Sequence, residues 1–67
     1  MNIGKNIRDK REAKGLTQLT LSNESGVGTS MICQIEKGMK IPSLAVALSI
    51  AKALECTVDE LCREESA

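Results

Sequence analysis

Thr29, Ser30, Cys33 and Gln34 lie on one side of a short segment whose other side is formed by Ile32 and Ile35. If the segment is a helix that buries the two isoleucines, it turns two hydroxyls, a thiol and a primary amide outward. That set is poorly suited to catalysis. The chain has no His, the usual acid–base group near neutral pH. No nucleophile–base pair or phosphate-cradling glycine loop accompanies it, so an enzyme is the least favoured reading. Recognition suits these groups better. A glutamine amide matches the N6 and N7 edge of adenine, and Thr and Ser offer hydroxyls, or a methyl, to thymine. Lys37 and Lys40 follow at once and suit phosphates at the rim of a groove. Gln18 would open the preceding helix, where free backbone N–H groups and its own amide can hold a phosphate; the alternative is a solvated polar residue.

The elements that position these groups are legible between residues 15 and 38. Leu16, Leu21, Val27, Ile32 and Ile35 are spaced as the apolar anchors of two short helices joined by a tight turn. Thr17 stands where an N-cap hydroxyl is wanted. Gly26 stands where the chain must turn with positive φ, and Gly38 can close the second helix in the same way. A helix-turn-helix is thus predicted over about 17–37. Two helices this short bury too little surface alone. Such a pair needs a body behind it, and the usual purpose is to present the second helix to the major groove of double-stranded DNA.

The rest of the chain supplies that body. A first helix is expected over Ile3 to Lys14, with Ile3, Ile7 and Arg11 on one face, ended by Gly15. Helices follow over Gln18 to Ser25 and over Thr29 to Lys37, the latter introduced by Gly28. Ser43 caps a fourth helix running to Leu54, in which Leu44, Ala47, Leu48, Ala51 and Leu54 form an apolar stripe. A short fifth helix over Val58 to Cys62 is introduced by Thr57 with Glu60 three residues on, the spacing of a capping box. No alternation of strand period is seen. The expectation is an all-α, compact five-helix domain, with residues 1–67 as a single unit.

Composition narrows the possibilities further. The net charge of the 67 residues is zero, but residues 1–40 hold seven Lys or Arg against four acids and residues 41–67 hold two against five. One end is basic and the other acidic, as expected of a protein that offers one surface to phosphates; the alternative is a chance imbalance. The absence of Phe, Tyr and Trp removes aromatic stacking on single-stranded nucleic acid. Cys33, Cys56 and Cys62 form no CxxC pair and suit reduced thiols filling small apolar sites; too few ligands accompany them for a metal. No leader segment or membrane span is expected, so the predicted location is cytoplasmic, with no cofactor and no small-molecule substrate.

The chain resembles the Cro/repressor-type helix-turn-helix family, or xenobiotic-response-element family, of bacterial and phage regulators. The resemblance covers about residues 3–62. It is carried by Ile7-Arg8-x-x-Arg11, Gly15-Leu16-Thr17-Gln18, Leu21, Gly26-Val27, Ile32-x-x-Ile35-Glu36-x-Gly38, Pro42-Ser43-Leu44, Ile50-Ala51-x-Ala53-Leu54 and Val58-x-x-Leu61. It implies a lambda-repressor-like DNA-binding domain, commonly used as a dimer on a palindromic operator. It also implies that Gln18 contacts a backbone phosphate and that Arg11 and Glu36 form an inward ion pair tying the first helix to the third. The chain departs from the family pattern at several positions. Gly28 stands where Ser or Thr is usual, and Leu19 where an acid is usual. Met39, Ile41 and Val46 replace common polar residues. No Arg or Lys occurs between Gly26 and Gln34, which argues against direct reading of guanine.

The function expected from all this is a sequence-specific double-stranded DNA-binding transcriptional regulator, a repressor acting as a homodimer. The alternative is a protein-interaction module such as an antirepressor or antitoxin, which the neutral net charge and the weak recognition helix favour. For the dimer interface the sequence nominates Ile41, Val46, Thr57 and Val58, with Leu19 and Met39 behind them. The alternative for Val46 and Val58 is to complete the small core.

Overall fold

The computed structural model describes residues 2–63, and these form five α-helices. They are α1 (Ile3–Ala13), α2 (Gln18–Ser25), α3 (Thr29–Glu36), α4 (Leu44–Ala53) and α5 (Val58–Cys62). The helices start where side chains satisfy their first N–H groups. Asn2 accepts from Lys5 N at 3.3 Å, Thr17 from Thr20 N at 3.0 Å and Ser43 from Val46 N at 3.2 Å. Thr57 and Glu60 close the capping box of α5 in both directions. Helix α3 is the exception: Gly28 precedes it and supplies no side-chain cap. The asparagine cap of α1 had no mark in the sequence reading. The C-terminal acids Glu64 and Glu65, counted in the charge asymmetry, lie outside the described residues.

Three helices end in one device. A left-handed residue follows the last turn, and the next N–H returns to a carbonyl five positions earlier. Gly15 (φ 72°) brings Leu16 N to Arg11 O at 3.0 Å, and Gly38 (φ 78°) brings Met39 N to Gln34 O at 2.8 Å. The third instance carries no glycine. Glu55 adopts φ 57°, and Cys56 N reaches Ala51 O at 2.9 Å.

The core is aliphatic. Ile7, Leu21, Ile32, Ile35, Ile50 and Leu61 are fully buried, with Val27, Ala51 and Leu54 beside them. Helix α1 packs on α3 and α5, α2 packs on α3 and α4, and α4 packs on α5. The stripe read on α4 is divided by the structure. Ala47, Ile50, Ala51 and Leu54 face the core, whereas Leu44 and Leu48 are exposed. The reason is helical phase: Ile50 turns the buried face toward α2 and α5, and the two leucines fall to its side. Val46 and Val58 are half-buried and pack against the core.

One contact fixes how α1 meets the third helix. A Cβ on Gly4 would lie 2.1 Å from the carbonyl oxygen of Ile35. The start of α1 therefore lies hard against the last turn of α3, at a distance only glycine permits.

Candidate nucleic-acid interface

Thr29 and Ser30 are exposed on the first turn of α3, and Cys33 and Gln34 are half-buried one turn on. Ile32 and Ile35 point inward and anchor the helix. The four outward residues line one open groove with Gln18, Lys37 and Met39. Lys40 is exposed just beyond this lining, its N–H 3.3 Å from Gln34 O. Six of the seven residues read as DNA-facing are thus gathered on one surface. Met39 joins them although its sequence position carried no such signal. The positive-φ turn at Gly38 folds the chain back across the end of α3.

Gln18 is also tied to the body of the domain. Its Nε2 donates to Glu36 Oε1 at 3.1 Å, leaving one amide hydrogen and the amide oxygen for other partners. Glu36 is shared with Arg11, whose Nε donates to Oε2 at 2.8 Å and whose Nη2 donates to Oε1 at 3.1 Å. Arg11 Nη1 donates in addition to Leu16 O at 2.7 Å. The carboxylate hydrogen bond raises the Arg11 pKa above its ordinary value, against the opposing effect of burial. One carboxylate on α3 thereby joins α1, the turn after it, and the first residue of α2.

The ion pairs redistribute the positive charge read in the first forty residues. On α1, Lys5 pairs with Asp9, Arg8 with Glu12, Lys10 with Glu60 and Arg11 with Glu36; Lys14, just after the helix, pairs with Glu55. Among the described residues, Lys37 and Lys40 have no carboxylate partner. The free cations of the amino-terminal half therefore sit at the end of α3, beside the groove, and not along α1.

The cysteines remain separate. All three are free and half-buried, and burial pushes the Cys56 thiol above its ordinary pKa. Among the described residues, no cluster of His, Cys, Asp or Glu could hold a metal ion. Of the four nominated interface residues, Ile41 is the most open at 88% exposed. Thr57 is exposed and occupied in capping α5. The sequence reading missed Leu44 and Leu48 as exposed apolar residues, because their spacing also fits a core stripe.

Two short helices across a glycine turn, the second anchored by isoleucines and turning polar groups outward, define a helix-turn-helix domain. The chain belongs to the Helix-turn-helix family, whose pattern it matches over residues 7–61. It is 36% identical over 62 residues to the HTH-type transcriptional regulator YazB of Bacillus subtilis (strain 168), covering 92% of this chain and 90% of YazB. Its structure is similar to the restriction-modification controller protein C.AhdI from Aeromonas hydrophila. That match has a TM-score of 0.86 and 38% identity, over 90% of this chain and 91% of the other. It is also similar to the P22 c2 repressor in complex with a synthetic operator. Here the TM-score is 0.84 and the identity 31%, over 91% and 92% of the two chains. The protein is a member of a family of transcriptional regulators, and its DNA-binding fold is repressor-like.

Proposed function

We propose that this protein is a repressor that binds a palindromic operator in double-stranded DNA as a homodimer. The groove over α3 supports this reading most strongly. It gathers Thr29, Ser30, Cys33 and Gln34 on one face together with Lys37, which has no carboxylate partner among the described residues. The hydroxyls and the amide match base edges, and Lys37 and Lys40 match flanking phosphates. Gln18 adds an amide at the first turn of α2, where unpaired backbone N–H groups also favour a phosphate. The likeness to the operator-bound P22 c2 repressor supports the same placement.

A single α3 reads about half of a site, and a dimer sets two such helices one duplex turn apart. Ile41, Leu44 and Leu48 offer an apolar surface on the loop before α4 and along its outer side. With Val46 and Val58 packed against the core, the dimer face is assigned to these three residues, Ile41 being common to both views. Among the described residues no helix is long and apolar enough to cross a membrane, and a cytoplasmic location suits a protein that works on DNA.

Binding to duplex DNA from upstream of its own gene, at two salt concentrations, tests the function. The expected result is tight binding that weakens steeply with salt and exceeds binding to random duplex. Sedimentation at tens of micromolar tests the dimer. A dimer is expected for the wild type and a folded monomer for Leu44→Glu. A monomeric wild type, both free and on operator DNA, would reject the dimer.

A further inference from the structure

We propose that Met39 is a further base-contacting residue, that it takes the C5-methyl group of thymine, and that the half-site is accordingly read through A·T pairs. This assignment rests on the regulator reading above and adds to it the class of base.

Met39 follows the left-handed Gly38, and its N–H returns to Gln34 O at 2.8 Å. In this closure the returning residue characteristically packs over the last turn of the helix it has just left. For Met39 that turn contains Cys33 and Gln34, and the three side chains line the same groove. Met39 is nevertheless 69% exposed and does not belong to the core. Its unbranched thioether therefore lines the same groove as Gln34 and stays largely open to solvent.

The chemistry around it selects the base. Arg and Lys are the usual readers of guanine O6 and N7, and α3 carries neither between Thr29 and Glu36. Lys37 is the one cation in the groove lining and follows the last residue of α3; the rest of the lining is two amides, one of them adenine-matching, and small or apolar groups. Thymine alone among the four bases presents a methyl group in the major groove. A flexible, polarisable thioether adapts well to such a contact. Lys37 and Lys40 flank Met39 in the chain, and neither has a carboxylate partner among the described residues. Two unpaired ammonium groups beside an exposed apolar side chain suit a polyanion carrying an apolar spot. They suit the neutral face of a second protein copy less well.

Thymine-to-uracil replacement removes the methyl and leaves the hydrogen-bonding edge intact. The probe is the duplex that the wild-type protein selects from a randomised 20-base-pair pool, of a length set by about two turns of B-form DNA. Each thymine is then replaced singly by deoxyuridine. For the wild type, at least one thymine per half-site should weaken binding about fourfold on losing its methyl. Met39→Ala should lose that sensitivity, Met39→Leu should keep most of it, and neither should change the thermal midpoint. A selected site with G·C pairs throughout its contacted positions would overturn the assignment. So would a uracil penalty of equal size at every position in wild type and Met39→Ala. Loss of dimerisation in Met39→Ala with the uracil penalty intact would place the side chain in a protein interface instead. Failure of the wild type to select any duplex would overturn the regulator reading itself, and this assignment with it.

Discussion

Arg11 and Glu36 are joined at two points, with Nε on Oε2 at 2.8 Å and Nη2 on Oε1 at 3.1 Å. Only 11% of the Arg11 side chain and 4% of the Glu36 side chain remain exposed. The planar fork and the carboxylate define one relative orientation of α1 and α3, which a lysine in place of Arg11 would not. Through Gln18 the same carboxylate also sets the start of α2. The angle at which α3 is presented is thus held by a polar contact as well as by the apolar core.

Removing one side of this pair leaves a charge stranded out of water. Arg11→Met is expected to lower unfolding stability by about 3–5 kcal/mol, whereas Arg11→Met with Glu36→Leu should be much milder. Denaturant melts of both single variants and the double decide the matter. Losses that simply add would mean that the contact carries no coupling.

Gly4 gives a second test of how α3 is held. Alanine at this position would force its Cβ to within 2.1 Å of the Ile35 carbonyl oxygen, and both partners of the clash are backbone-bound. Gly4→Ala should cost about 1–3 kcal/mol, the usual range for an overpacked site. It should do so although alanine is the better helix former by roughly 1 kcal/mol. A thermal midpoint at or above that of the wild type would show that α1 does not rest on α3 in solution.

Much of this architecture was legible in the sequence because its signals are local. Thr17, Ser43 and the Thr57–Glu60 pair mark helix starts through bonds to residues three positions away. Ile32 and Ile35 fix which side of α3 faces inward. The features that were missed depend on contacts between elements. Gly4 reads as an ordinary small residue until α3 is laid against it. Leu44 and Leu48 have core spacing and become exposed only because Ile50 sets the phase of α4. The charge count suggested a basic amino-terminal half. Pairing of α1 cations with acids, including Glu60 on α5, leaves Lys37 and Lys40 as its cations without a carboxylate partner among the described residues.

The acidic limb of the stability profile follows from the pairs that hold α5. The Lys10 hydrogen bond, aided by the Thr57 N–H, holds the Glu60 carboxyl below its ordinary value of 4.5. The Lys14 hydrogen bond does the same for Glu55. A carboxyl with a lowered folded-state pKa stabilises fully above its unfolded value and loses that contribution as the pH falls through the folded one. Stability should therefore be level above about pH 4.5 with respect to these groups and decline below it. Denaturant melts from pH 7 to pH 3 should show a shallower decline in Glu55→Gln with Glu60→Gln than in the wild type. An identical slope would mean that these pairs do not survive in solution.

Lys37 and Lys40 should act on every duplex alike. Replacing either with alanine is expected to weaken binding to cognate and random DNA similarly. The slope of log affinity against log salt should become shallower by about one unit for each. Binding isotherms at four salt concentrations give the slope directly. Unchanged slopes in both variants would place the DNA face elsewhere.

Binding of Gln34→Ala to a selected cognate duplex and to a random duplex, at one salt concentration, tests most directly whether the α3 face reads sequence. Gln34 lines the groove, and loss of its amide should weaken cognate binding by about 1–3 kcal/mol while leaving random-duplex binding nearly unchanged. An equal loss on the two duplexes, or none on either, would contradict the assignment of this face to operator recognition.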